Sequence, residues 1–248
     1  IIGKSKAYLV SFGGLRKDEL LDKDIKNADK VRFILFTADD PYFFKANDEF
    51  HSFWYLNNET KNEAFRLIKT TEASLKKRGH AYLNPSPVND EKELNYLSIS
   101  KKIGFNIFGH LGLAAWPEIS PKTVRDKIYL VMRKEKRPLH FTELTALINR
   151  ARFDHKNAHL QTVHNELIKD ERFILVGRGL YGLQEFGYEP GTTGEIIARL
   201  LKKERTLTAS QIAESVLKQK FVKHNTILLN LQNKSLFRRL NDGRYSLA

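Results

Sequence analysis

The chain of 248 residues has no cysteine, 41% hydrophobic residues and a net charge of +13. The lack of cysteine excludes disulfides, thiolate nucleophiles and cysteine-ligated metal centres, and the apolar runs are far shorter than the roughly 18 residues of a membrane span. A positive charge of this size favours a polyanionic partner such as nucleic acid. We expect no membrane partner and a cytoplasmic location, at the nucleoid if the source is bacterial. The first residue is Ile1 rather than Met, as in a fragment of a longer protein.

The positive charge is concentrated in the C-terminal half. Residues 1–57 contain nine basic and nine acidic side chains, and residues 58–120 contain nine and seven. Residues 121–188 contain thirteen and eight, and residues 189–248 contain eleven and five. We therefore expect the second half to meet nucleic acid. The alternative interpretation is a solvated basic surface that only keeps the chain soluble.

The first two segments each suggest helices followed by paired strands. In residues 1–57, "ADKVRFILF" and "PYFFKANDEFHSFWYL" predict a helix and a hairpin, and hence a divergent winged-helix unit. In residues 58–120, "VNDEKELNYLSISKKI" and "NIFGHLGLAAW" predict a helix and a wing of a winged-helix-like unit.

Residues 121–188 and 189–248 repeat one pattern. "RPLHFTELTALI" aligns with "RTLTASQIAESV" at an offset of 68 residues. Each copy predicts an amphipathic helix, a short extended link, two more helices and a β-hairpin. This is the order of a winged helix-turn-helix, so we predict a mainly α fold with small β wings (α+β), built from four tandem units of this kind.

Local signals support these boundaries. Thr208 and Gln211 form a predicted capping box at the second helix of the last copy, and His140 with Glu143 occupies the equivalent positions in the third segment. In the last copy "NDG" (241–243) predicts the turn of the hairpin.

Three glycines in "ILVGRGLYGL" spell G-x-G-x-x-G, namely Gly177, Gly179 and Gly182. A dinucleotide fingerprint requires a helix directly after these glycines, but "LQEFGYEPG" follows them. We interpret them as turn glycines that allow positive φ at a wing tip.

The segment 125–188 resembles the HARE-type helix-turn-helix domain, most specifically in "RPLHFTEL", "AHLQTVHNELIKD" and "FILVGRGLYGL". That family is associated with bacterial transcription, as in the N-terminal domain of the RNA polymerase delta subunit, and with restriction and chromatin proteins. The resemblance implies a DNA-binding or DNA-sensing module. The longer pattern from "LNYLSISKKIGFNIFGHLGLAAWPEISPK" onward resembles the C-terminal region of sigma-factor-like proteins of bacterial RNA polymerase. In those proteins a sigma helix-turn-helix that reads the promoter −35 region lies upstream, and none is evident in this chain.

The third helix of each copy is the expected recognition helix, because helix-turn-helix proteins place it in the major groove. In the third segment we expect Leu160, Val163 and Leu167 to form its buried face. Candidate DNA contacts there are Lys156, His159, Gln161, Thr162, Asn165 and Lys169, with Arg178 at the wing tip. Candidate contacts in the last copy are Lys220, Lys223, His224, Asn225 and Thr226 at the helix start, and Arg238, Arg239 and Arg244 around the wing.

Catalytic and metal-binding patterns are weak. His155 and His159 have the spacing of paired metal ligands on a helix, but the sequence offers no obvious third ligand. There is no nucleophile elbow. We therefore expect a protein that is not an enzyme and that has no cofactor and no metal.

Three functions fit this pattern. The first is a transcription-associated protein that binds duplex DNA through its C-terminal units. The second is a protein-interaction scaffold that docks on RNA polymerase through the neutral residues 1–57. The third is the DNA-specificity part of a restriction-type nuclease.

Overall fold

The structure, a computed structural model, describes residues 2–37, 42–79 and 90–248, with side chains described from residue 7 and, in the first stretch, up to residue 35. The chain separates into two compact units, residues 1–121 and 122–248. Each unit is described on its own below.

The first part of the N-terminal unit has three helices and a three-stranded sheet. These elements are α1 (Ile2–Ser11), β1 (Leu15–Lys17), α2 (Asp18–Asp24), α3 (Ala28–Thr37), β2 (Tyr42–Phe44) and β3 (Phe53–Tyr55). Strand β3 lies in the centre of the antiparallel sheet, between β1 and β2. The core contains Trp54 with Leu9, Leu21 and Leu35. The order of elements is that of a winged helix.

The second part of this unit contains, among its described residues, two helices and a hairpin. They are α4 (Asn58–Arg78), α5 (Glu91–Ser98), β4 (Ile103–Phe105) and β5 (Leu111–Leu113). Asn57 caps α4, because its side chain accepts a hydrogen bond from the backbone N–H of Thr60. Helix α4 packs against α5. The division of residues 1–121 at residue 57 stays a prediction.

The C-terminal unit begins with helix, strand, helix, helix and hairpin. The elements are α6 (Val124–Glu135), β6 (Leu139–His140), α7 (Phe141–Ala151), α8 (Leu160–Lys169), β7 (Phe173–Gly177) and β8 (Leu180–Leu183). Strand β8 lies between β6 and β7, so β7 is an edge strand. A single 3₁₀ turn over Gln184–Phe186 follows.

The last copy repeats this arrangement. It consists of α9 (Thr193–Glu204), α10 (Ala209–Gln219), α11 (His224–Leu231), β9 (Phe237–Arg239) and β10 (Tyr245–Leu247). Leu207 forms an isolated bridge with Tyr245 and so takes the place that β6 has in the preceding copy. The helices and the hairpin enclose one core, formed by Ile196, Ile197, Leu201, Ile212, Ala213, Val216, Ile227, Leu231 and Phe237.

Several helices begin at a residue whose side chain caps them, whereas α8 and α11 begin without such a bond. The predicted box of Thr208 and Gln211 is confirmed. His140 caps α7, since its Nδ1 accepts from the backbone N–H of Thr142. Two further capping boxes lie at α6, from Thr123 and Asp126, and at α9, from Thr192 and Glu195.

The expectation of a mainly helical fold with small antiparallel sheets is confirmed. None of the helices in the described part of the chain combines the length and the apolar character that crossing a bilayer requires.

The three motif glycines have different roles, and the turn interpretation holds for only one of them. Gly179 has a φ of +68° in the turn after β7, whereas Gly177 lies in β7 and Gly182 in β8. A Cβ on Gly182 would stand 2.5 Å from the ring of Tyr188. Gly182 is therefore required by close packing rather than by backbone conformation.

Candidate nucleic-acid interface

Helix α8 buries a narrow apolar face. Val163 and Leu167 are 0% and 1% exposed. The prediction that Leu160 shares this face is wrong, because its side chain is 45% exposed. As the first residue of the helix, it lies beyond the core that Val163 enters.

The outer side of α8 carries a pair of amide side chains. Nε2 of Gln161 donates a 3.1 Å hydrogen bond to Oδ1 of Asn165, as residues four apart on a helix can. Both residues are exposed, as are Thr162 and Lys169. The mutual contact leaves Oε1 of Gln161 and Nδ2 of Asn165, one acceptor and one donor, for an external partner.

Two sets of contacts fix the connection between α7 and α8, which carries the exposed Lys156. Nζ of the buried Lys127 donates to Oδ2 of Asp154 at 2.6 Å. This hydrogen bond holds the pKa of Asp154 below its usual range. Asn149 on α7 donates to the carbonyl of Ala158 and accepts from its N–H, at 3.1 and 2.7 Å. The start of α8 therefore has a defined position.

His155 and His159 do not share a helix. Both are exposed and precede α8, and His159 is its N-cap residue without a side-chain capping bond. The helical spacing of paired ligands therefore does not apply to them. The part of the chain that the structure describes contains no group of three His, Cys, Asp or Glu residues placed to hold a metal ion. His159 stays a candidate contact at the start of α8.

Arg178 occupies the tip of the hairpin of β7 and β8. Its side chain is exposed and, within the described residues, is paired with no carboxylate. The tip is tight, because Gly177 and Leu180 are paired across it. The carbonyl of Gly179 accepts a 3.0 Å hydrogen bond from the N–H of Phe141. Arg178 thus projects from a short, anchored turn.

Helix α11, the predicted recognition helix of the last copy, has eight residues, of which four are apolar. Lys223 is its N-cap residue and is exposed, Asn225 is exposed and Thr226 is half-buried. His224 is also exposed. Further along the helix Leu229 is 64% exposed. The exposed polar residues of α11, His224 and Asn225, thus lie in its first turn.

The prediction that Lys220 contacts DNA is wrong. It is 7% exposed and terminates α10 instead of starting α11. Its Nζ donates to the carbonyl oxygen of Leu175 on β7, and burial lowers the pKa of this amine. In this position Lys220 is largely buried and its ammonium group is bound to a backbone carbonyl, so it is not placed to contact a phosphate.

The hairpin of β9 and β10 carries the remaining cations. Arg238 and Arg239 are both exposed, and since they are neighbours on β9 they point to opposite faces. Arg244 follows the turn, and its backbone N–H donates to Oδ1 of Asp242 at 3.0 Å. Arg244 is exposed, and its guanidinium lies near the same carboxylate at 3.9 Å.

Arg178 and Lys220 line the same groove of about 830 Å³, which runs between β7 and the start of α9. The exposed Ile168 and Leu175 supply apolar walls. The backbone N–H of Phe221 donates a 2.7 Å hydrogen bond to the carbonyl of Val176 at this groove. Sequence reasoning missed this contact between the two copies, because nothing in the local pattern around Phe221 indicates it.

In the N-terminal unit, helix α3 has the position of a recognition helix but a different surface. The guanidinium of its arginine, Arg32, lies 3.0 Å from Asp18, 2.8 Å from Asp22 and 3.1 Å from Asp29. The side chain of Phe33 is 70% exposed. This helix therefore presents a compensated charge and an aromatic ring rather than a basic face.

Residues 122–186 match the family model HARE-HTH, a helix-turn-helix domain whose description names ASXL and restriction endonuclease proteins among those that contain it. Comparison with curated proteins and with solved structures gave no match. The matched segment spans α6 to the 3₁₀ turn after β8. This chain therefore contains, in residues 122–186, a helix-turn-helix domain similar to those of the HARE-HTH family.

Proposed function

We propose that the chain binds duplex DNA through the outer face of α8 and the wing-tip cation Arg178. The observation that carries the proposal is the exposed amide pair of Gln161 and Asn165 on the recognition helix of the family-matched domain. The other candidate contacts of this domain are the exposed Lys156, His159, Thr162 and Lys169, and the last copy adds Lys223, Asn225, Thr226, Arg238 and Arg244. The chain acts by binding, not by catalysis.

The amide pair has the chemistry to read adenine. In the major groove adenine presents N7 as an acceptor and N6 as a donor. Nδ2 of Asn165 can donate to N7 while Oε1 of Gln161 accepts from N6, because their mutual hydrogen bond occupies the other two amide atoms. Lysine and threonine on the same face suit phosphate oxygens, which position a protein without reading sequence. Arg178 suits a phosphate or the minor groove.

Arg178→Ala tests the wing contact. We expect weaker binding to every duplex and a log–log salt slope smaller in magnitude by about 0.9, the value for one lost phosphate contact. Fluorescence anisotropy with a labelled duplex across a salt series measures both. Lys69→Ala, which removes one positive charge at an exposed site on α4, is the control. Wild-type binding that is insensitive to salt would contradict the proposal.

We further propose that the chain takes part in transcription in the cytoplasm. It would do so by contacting RNA polymerase, as sigma-factor-like proteins do. Helix α3 supports this proposal, because carboxylates compensate the charge of Arg32 and the aromatic side chain of Phe33 is exposed. Exposed aromatic side chains are enriched where proteins bind one another.

Phe33→Asp tests this second contact. We expect the full-length chain to be retained by immobilised RNA polymerase core enzyme and the variant to lose most of that retention, since a carboxylate would be desolvated there. Its affinity for DNA should stay unchanged, which separates this surface from α8. Equal retention of both proteins would contradict the contact.

A further inference from the structure

Residues 220–222 of the last copy lie along the outer edge of β7, next to the wing tip. The N–H of Phe221 donates to Val176, and Nζ of Lys220 donates to Leu175. Lys220 itself has extended backbone angles, with φ −133° and ψ 136°. The segment therefore covers part of this sheet edge with one backbone and one side-chain hydrogen bond.

The contact falls where β7 is irregular. The register of β7 against β8 shifts between Leu175 and Gly177. An irregular strand end has fewer ladder hydrogen bonds to hold it. At this place the carbonyls of Leu175 and Val176 are bound from the neighbouring copy instead.

Gly177 permits the approach of the two copies. A Cβ at this position would lie 3.1 Å from the carbonyl oxygen and 3.2 Å from the Cβ of Phe221. Its φ is not in the left-handed region, so the reason for glycine here is space. Arg178 is the next residue along the chain.

We propose that residues 220–222 of the last copy are positioning residues for Arg178, bracing the wing of the HARE-type domain so that its guanidinium meets DNA in a fixed place. This inference rests on the proposed DNA-binding function. On the opposite side, the hydrogen bond from Phe141 to Gly179 holds the turn. The wing tip is thus clamped between its own domain and the next one.

Phe221→Pro removes the N–H that binds Val176 and is compatible with the extended conformation of Lys220, which proline requires of the residue before it. Phe221→Ala loses the same aromatic ring but keeps the N–H, so it is the matched control. Lys220→Met is a second variant that removes the other donor and retains an apolar stem. All are made in the 248-residue chain.

We expect Phe221→Pro and Lys220→Met to weaken duplex binding roughly fivefold. Both should also reduce the magnitude of the log–log salt slope by about 0.9, as Arg178→Ala does. Phe221→Ala should bind like the wild type. In the Arg178→Ala background, neither brace variant should weaken binding further, because the contact they position is already absent. Thermal unfolding reports whether each variant is folded.

Two results overturn the brace. One is equal weakening in the presence and absence of Arg178, which would reveal a merely structural effect. The other is unchanged affinity in both brace variants while Arg178→Ala weakens binding. If the wild-type chain does not bind duplex DNA at all, that result contradicts the proposed function itself, and with it the role of residues 220–222.

Discussion

Replacing Gln161 with Glu and Asn165 with Asp should abolish measurable duplex binding at near-physiological salt. The double variant puts two carboxylates on the exposed face of α8, where the wild type has two amides joined by a hydrogen bond. A carboxylate facing phosphate costs several kcal/mol, and the donor that adenine N7 requires is lost as well. We expect the dissociation constant to rise at least ~100-fold, as measured by anisotropy with the 248-residue chain.

Asn62→Asp with Ser74→Asp is the matched control. Both residues are exposed on α4, so this pair lowers the net charge by the same two units away from the candidate interface. We expect only a modest and salt-sensitive loss of affinity. If the two double variants weaken binding equally, total charge and not α8 governs the interaction.

Gly182→Ala should destabilise the C-terminal unit by about 1–3 kcal/mol, the usual cost of forcing an extra methyl group into a packed site. The new Cβ would stand 2.5 and 2.8 Å from two ring carbons of Tyr188. Since β8 is the central strand of its sheet, it cannot move away without disturbing both β6 and β7. Urea unfolding followed by circular dichroism measures the change.

The same substitution made together with Tyr188→Ala tests the cause. Removing the ring provides room for the new methyl group, so Gly182→Ala should cost much less in that background, and the difference is the coupling between the two sites. Full additivity would show that the cost comes from somewhere other than the tyrosine.

The local parts of the fold could be predicted from sequence because their causes are local. The capping box of Thr208 and Gln211 satisfies helical N–H groups three residues away, and the turn ending in Gly243, with φ +84°, requires glycine. The helical period likewise marks Val163 and Leu167 as buried. Such signals needed no knowledge of distant contacts.

Lys220 shows where this reasoning stops. A lysine near a helix start is usually a surface residue, and its partner, the carbonyl of Leu175, lies 45 residues earlier. Only the packing of one copy on the other brings the two together. The exposure of Leu160 was missed for a related reason, because periodicity marks a face of a helix but not how far the core extends along it.

The contact of residues 220–222 with β7 also affects how readily one molecule associates with another copy of the same chain. An uncovered edge strand offers unpaired backbone groups to any other strand in solution, which is a common route to aggregation. Here the carbonyls of Leu175 and Val176 are already occupied from within the chain, and a buried ammonium group beside them would be left uncompensated by an incoming strand. The tandem arrangement therefore also covers part of this edge, which makes pairing with another molecule less favourable there.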